Sequence, residues 1–223
     1  MTTGRADPAT VVLLGPPGAG KGTQARLLSE RFGLPHISTG EILRRIAAAD
    51  TPLGREVRAI QKAGLLVDDA VMARLVLERT EAPDCRNGYI LDGFPRRIGQ
   101  AELLETLHGG DHRPPVTVAI VVPAAAIVRR LTGRRCCPSC GTIYNVYTSP
   151  PRVAELCDLD GAALVQRSDD TEEAAGVRIA EYELETAPLV AFYEGLGRLI
   201  TVDGAREPDE IFADLEATLG RVL

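Results

Sequence analysis

Tryptophan is absent from the 223-residue chain, which has only four phenylalanines and five tyrosines. So thin an aromatic complement excludes an extended stacking platform for single-stranded nucleic acid. No run approaches the roughly 20 apolar residues of a membrane-spanning helix. The stretch Met1–Ala9 lacks the apolar centre of a secretory signal and reads as a short flexible leader (residues 1–9). Lysine is nearly missing: Lys21 and Lys62 are the only two, and arginine carries the remaining positive side-chain charge. Net charge is −6, the wrong sign for a nucleic-acid footprint, although a few well-placed arginines can still make a local anion site. A cytoplasmic protein without membrane or nucleic-acid partners is expected. What is present is ordinary for a globular chain, with 45% hydrophobic and 25% charged residues, so disorder, collagen and coiled coil do not describe it.

Short, wholly apolar runs alternate with helical patterns. Thr10–Leu14, Gly88–Asp92, Val116–Val122 and Leu199–Asp203 read as buried strands. Helices are expected over Lys21–Arg31, from Ser38 to about Ala49, from Thr51-Pro52, from Asp68-Asp69 to about Thr80, from Pro123 to about Leu131, and over Pro208–Leu219. Ser38, followed three residues later by Glu41, is a capping-box start. Fully apolar strands separated by helices imply an α/β fold with a parallel sheet covered on both faces. Residues 133–170, rich in Cys, Pro, Gly and Tyr, interrupt that rhythm and read as an inserted β-rich lobe.

The first strand runs into Gly15-Pro-Pro-Gly18-Ala19-Gly20-Lys21-Gly22-Thr23, which opens a helix. This is the setting of a P-loop: glycines let backbone N–H groups point at phosphate oxygens, the helix N-terminus adds partial positive charge, and Lys21 reaches the β and γ phosphates. The hydroxyl residue that usually follows the lysine directly is displaced by one, with Gly22 intervening before Thr23. Further on, Asp92-Gly93-Phe94-Pro95-Arg96 places an acid at a strand end, able to hold Mg²⁺ through water, and an arginine fork able to meet a phosphate.

Gly-Lys-Gly-Thr-Gln, Ser38-Thr39-Gly40-Glu41-Ile-Leu-Arg44, Asp-Gly-Phe-Pro-Arg with Gln100 after it, Leu131-Thr-Gly133-Arg134-Arg135 and Arg167-Ser-Asp169-Asp170 occur in that order. Together they resemble the adenylate kinase family, in its long form with a zinc-bearing lid, over about residues 10 to 210. The resemblance implies a P-loop NTPase-like core (10–37, 68–132 and 171–223), a helical monophosphate-binding lobe (38–67) and a lid (133–170). It implies reversible transfer from ATP to AMP giving two ADP, with Mg²⁺ accompanying ATP, by a monomer. Gly18, Ala19, Gly20, Lys21, Gly22, Thr23, Arg130, Arg134, Ile143, Tyr144 and Arg206 are then expected at ATP. Thr39, Arg44, Leu65, Leu66, Val67, Gly93, Phe94, Pro95, Arg96, Gln100, Arg167 and Arg178 are expected at AMP. Lys21, Asp92, Arg96, Arg134, Arg167 and Arg178 would carry the transfer. The Gln100 amide offers both a donor and an acceptor, which suits an adenine edge. Arg97 and Arg129 depart from the usual pattern; Arg97 is expected to add charge beside the phosphates.

Within the inserted lobe, Cys137-x2-Cys140 and Cys157-x2-Asp160 stand sixteen residues apart, the spacing of a structural zinc knuckle. Cys136 is left as a spare thiol and Cys85 as a packed small residue. His36, His108 and His112 share no metal spacing and are expected in surface or loop roles. Two rival readings remain at this point. One is a kinase for UMP, CMP or GMP; the other is a non-catalytic module joining a P-loop to a zinc knuckle. The acidic lid residues Glu155, Asp158, Asp160, Asp169 and Asp170 weigh against the second.

Overall fold

A computed structural model describes residues 9–108 and 114–221; the leader up to residue 8 and His112 lie outside the described residues. Five parallel strands form one sheet in the order β2-β3-β1-β4-β7: β1 Ala9–Leu14, β2 His36–Ser38, β3 Gly88–Asp92, β4 Val116–Val121 and β7 Leu199–Asp203. Ala9, counted above with the leader, is the first residue of β1. Every residue of β1 is buried, as a β-branched central strand requires. Its alternate side chains divide two cores. Val12 and Leu14 pack with Ile37, Leu91, Leu104 and Leu189, whereas Val11 and Leu13 pack with Leu28, Ile90, Ile120 and Leu215.

The helices are α1 Lys21–Phe32, α2 Thr39–Ala48, α3 Pro52–Ala63, α4 Asp69–Thr80, α5 Ile98–Leu107, α6 Ala124–Thr132, α7 Glu172–Glu181, α8 Pro188–Gly195 and α9 Pro208–Leu219, with a π-helical turn, Tyr182–Thr186, joining α7 to α8. Their starts follow cap chemistry. Ser38, Thr51 and Asp68 accept from the first-turn N–H groups of α2, α3 and α4. Strand β2, α5, α7 and α8 were not assigned from sequence. β2 has three residues, too few to show a period.

The inserted lobe holds the antiparallel pair β5 Arg134–Cys136 and β6 Ile143–Asn145, with a small core of Cys137, Tyr144, Cys157 and Leu164. Arg129, at the base of the lobe, stacks its guanidinium 4.9 Å from the Tyr147 ring. No helix among the described residues is long and apolar enough to cross a membrane.

Candidate active site

Parallel strands bring their carboxyl ends to one edge of the sheet, and ligands bind in the crevice there. Leu13 of β1 is in register with Asp92 of β3, and Ser38 of β2 with the same Asp92. The loops after all three strands therefore meet. They border a cleft of about 720 Å³ that reaches from the glycine turn to the inserted lobe.

The turn after β1 is shaped by its glycines. Gly15 has φ 143°, and a Cβ there would sit 2.5 Å from the Ile120 carbonyl oxygen. Gly20, in the N-cap position of α1, has no side chain to satisfy the first N–H groups of the helix, which stay open to an anion. Lys21 donates from Nζ to the carbonyls of Gly15 (2.7 Å) and Pro16 (2.9 Å). Burial pushes its ammonium down to about 8 against the pull of Asp92, and Arg96, Arg178 and Arg134 push the same way.

Asp92 ends β3 facing Lys21. Burial raises its carboxyl, but His36 and Lys21 outweigh that and hold it below the ordinary carboxylate value. It is thus an anion inside the cleft, and it lies 3.4 Å from where a Cβ on residue 22 would be. An ionised acid opposite a phosphate cradle fits the Mg²⁺ that adenylate kinases use with ATP. His36, expected in a loop or on the surface, instead stands on β2 with a buried Nε2 3.5 Å from Asp92 Oδ2. Its position followed from the β2–β3 register, which the sequence did not show.

Among the cations that line this cleft are Lys21, Arg44, Arg96, Arg134, Arg167 and Arg178. Burial lowers the guanidinium of Arg44 to about 10, helped by Arg167. Arg96 and Arg178 are also lowered, by burial first and then by a neighbouring arginine. Arg134 differs: burial lowers it, but paired bonds to Asp170 more than compensate and raise it. Asp170 is fully buried and takes Arg134 Nε at 2.8 Å, Arg134 Nη2, and Arg178 Nη1 at 3.2 Å. Asp169 takes Arg178 Nη1 at 3.1 Å. These two carboxylates, which the sequence placed in the Arg167-Ser-Asp169-Asp170 motif without assigning them a role, aim two arginines.

A side pocket of about 90 Å³ opens from the cleft between α2, α3 and β3. Of the residues expected at AMP, Thr39, Arg44, Leu65, Leu66, Val67, Gly93, Arg96, Gln100 and Arg178 line it and Phe94, Pro95 and Arg167 do not; Leu43, Gln61 and Met72, which were not foreseen, join them. Thr39 Oγ1 donates to the Gly93 carbonyl at 2.9 Å. Gly93 has φ 88°, and a Cβ there would stand 2.5 Å from that hydroxyl. Gln100 is buried; its Oε1 accepts from the Arg96 N–H at 2.8 Å. Pro95 borders the main cleft, but the Phe94 side chain is turned into the core. Arg97 does not add charge to the phosphate region. It pairs with Asp69 at 2.8 Å and Glu185 at 3.1 Å, so its charge is spent outside the cleft.

At the far side, Arg130 donates to the Gly204 carbonyl at 2.9 Å, and Ile143, Tyr144 and the Arg206 region border the cleft. The Arg206 side chain turns away to Asp214, so only its backbone is available there. Tyr144 Oη accepts from Asp158 N at 2.8 Å and lies 3.5 Å from Cys157 Sγ, tying this wall to the cysteine cluster.

In that cluster, ligand atoms of Cys137, Cys140, Cys157 and Asp160 all lie within 4.8 Å of one another. Cys140 and Cys157 sulfurs are 3.5 Å apart. A tetrahedral ion with sulfur bonds near 2.3 Å separates its sulfurs by roughly 3.8 Å. The Cys140 N–H favours a Cys137 thiolate, but desolvation and the neighbouring Cys140 and Asp160 leave that thiol pushed up to about 11. Asp160 is held well below the ordinary carboxylate range, first by the Ala162 N–H. Three sulfurs and an ionised oxygen facing one point are compatible with zinc. Cys136 stays outside the cluster, and Cys85 is packed and buried, both as expected.

A glycine cradle, a helix N-terminus and converging arginines at the carboxyl edge of a parallel sheet define a P-loop phosphotransferase with a second, smaller substrate pocket. The adenylate kinase family model matches residues 13–198. A protein named adenylate kinase from Clostridium perfringens is 45% identical over 214 residues, covering 96% of this chain and 98% of that one. Those of Caldanaerobacter subterraneus and Moorella thermoacetica are 46% identical over 210 residues (94% of this chain, 95% of the relative) and 47% over 212 (95% and 98%). The chain belongs to the adenylate kinase family, and it is a nucleoside monophosphate kinase.

Proposed function

We propose that this chain carries out ATP + AMP = 2 ADP across the cleft, with ATP phosphates on Gly18–Thr23 and AMP in the pocket beside Gln100. The observation that carries the assignment is the set of buried, mutually repelling cations between the two. Empty, they raise one another's energy; two phosphate chains laid end to end relieve them.

AMP phosphate oxygens are nucleophilic at neutral pH, so the protein needs no general base; positioning and charge neutralisation carry the step. Lys21 holds the β and γ phosphates, and Arg96, Arg134, Arg167 and Arg178 surround the transferring group, with Asp169 and Asp170 fixing the aim of Arg178 and Asp170 also that of Arg134. Arg44 and Thr39 hold the AMP end, with the Leu65–Val67 backbone. Arg130, Ile143, Tyr144 and the Arg206 backbone enclose the adenosine of ATP. Mg²⁺, when bound with ATP, neutralises phosphate charge, and Asp92 would hold it through water. Residues 38–67 and 133–170 close over the bound pair and exclude water, which prevents hydrolysis. Zinc at Cys137, Cys140, Cys157 and Asp160 gives the lid rigidity that its small core cannot supply. A cytoplasmic monomer completes this reading.

A coupled assay of ADP formation from ATP, with AMP, UMP, CMP and GMP in turn, tests it. AMP is expected to exceed each of the others by at least about tenfold in kcat/KM, the worth of one good hydrogen bond lost. A preference for a pyrimidine or for GMP would reassign the pocket.

Lys21 also gives the fold a pH signature. The unfolded chain holds this proton up to 10.5 and the folded chain only to about 8. Between those values the unfolded state binds more protons, so stability of the ligand-free protein rises with pH. Lys21→Met is expected to flatten that rise and to lift the thermal midpoint at pH 7, while ADP formation collapses. Melting curves from pH 7 to 10 check this; an unchanged slope in the variant would count against a strained lysine.

A further inference from the structure

Asp68 caps α4, accepting from Ala70 N and Val71 N. The next residue, Asp69, is therefore free of capping duty. Its Oδ1 instead accepts from Gln100 Nε2 at 2.7 Å and Arg97 Nη1 at 2.8 Å. Arg97 is held in turn by Glu185 on the π-helical turn.

The Gln100 amide is thus gripped at both ends. An ionised carboxylate only accepts, so the NH2 group must face Asp69; a backbone N–H only donates, so the oxygen must face Arg96. A flipped amide would set oxygen against carboxylate and NH2 against N–H. One N–H and one oxygen lone pair remain for a ligand. The polarity of that remaining pair decides which base it reads. Adenine presents an amino donor at position 6 and an acceptor at N1. A 6-keto purine presents the reverse, an acceptor at position 6 and a donor at N1. An amide free to flip would serve either.

We propose that Asp69 is a specificity-positioning residue: its carboxylate locks the Gln100 amide in the polarity that reads a 6-amino purine and rejects a 6-keto purine. The inference rests on the reading that Gln100 faces the base of AMP. Arg97 is the outer support, holding Asp69 in place without touching the amide.

Steady-state kinetics with AMP and IMP, which differ at this edge alone, provide the test. Asp69→Ala is expected to raise the KM for AMP about tenfold with kcat within about twofold, because only binding shared by ground and transition states is lost. It is also expected to shrink the AMP-to-IMP ratio in kcat/KM by about tenfold, equivalent to one hydrogen bond. Asp69→Asn keeps an accepting Oδ1 and should hold the ratio within about threefold of the parent, and Arg97→Ala should do the same. If Asp69→Ala leaves the ratio unchanged while Gln100→Ala lowers it, Asp69 is not the lock although Gln100 does read the base. If neither changes it, Gln100 does not face the base at all. Equal losses on both substrates with a fallen kcat, or a ratio shift as large in Arg97→Ala, would show a merely structural tether and overturn the proposal. Should the alanine variant fail to fold, Asp69→Ser, too short to reach the Gln100 amide, is expected to shrink the ratio likewise, and an unchanged ratio there would overturn the proposal.

Discussion

Arg96→Ala is expected to lower kcat by about three orders of magnitude and to leave the chain folded with an unchanged or higher thermal midpoint. The two halves of that expectation have separate causes. An arginine on a transferring phosphoryl group is worth roughly 10³–10⁵ in rate. Without substrate the same side chain is a liability: it is buried, its guanidinium is lowered by burial and then by Arg178, and its Nε bond goes only to the Gly93 carbonyl. Removing it relieves a charge that the free protein holds at a cost, as expected where function and stability conflict. Coupled ADP assays and thermal melts on the same preparation check both. Near-normal turnover in the folded variant would remove Arg96 from the chemistry.

At the proposed zinc site, Cys157→Ala is expected to lower the metal content from the proposed one per chain to below about 0.1 and to dissolve the lid while sparing the core. Structural zinc contributes about 10–16 kcal/mol in small metal-folded domains. The lobe's own apolar core, Cys137, Tyr144, Cys157 and Leu164, has two of the proposed ligands among its four members. Losing the metal would therefore release two of the four side chains that make up that core. Amide exchange in residues 133–170 should rise to rates of an unfolded segment, while β1, β3 and β4 keep their protection. A chelator should reproduce the effect in the parent protein. Protection of the lid that survives both treatments would show that hydrogen bonds alone hold it.

Much of this was legible in the chain because chemistry and spacing coincide there. The glycine turn before Lys21 can serve few purposes other than a phosphate cradle, and Asp92 ends the neighbouring strand in register with Leu13, just before that turn. Ser38, Thr51 and Asp68 marked helix starts because only short oxygen-bearing side chains satisfy those N–H groups. The spacing of three cysteines and Asp160 singled out four candidate ligands, and their ligand atoms lie within 4.8 Å of one another.

What stayed hidden depends on contacts between distant segments. His36 meets Asp92 only through the pairing of a three-residue strand. Arg97 looked like one more phosphate-facing arginine, but Asp69 and Glu185 draw it away. Phe94 sits inside the most diagnostic motif, yet it serves the core. In 172–195, Gly176 and Pro188 interrupt the helical pattern, so α7, the π-helical turn and α8 gave no clean period. The orienting roles of Asp169 and Asp170 could be seen only once Arg134 and Arg178 had been brought to them.

A crystal structure with two adenosines joined by a five-phosphate bridge tests the central claim most directly. The bridge should run from the Gly18–Thr23 backbone past Lys21, Arg96, Arg134, Arg167 and Arg178, with one adenine beside Gln100. A bridge that avoids the glycine turn and the arginines, or an adenine outside the Thr39–Gln100 pocket, would contradict it.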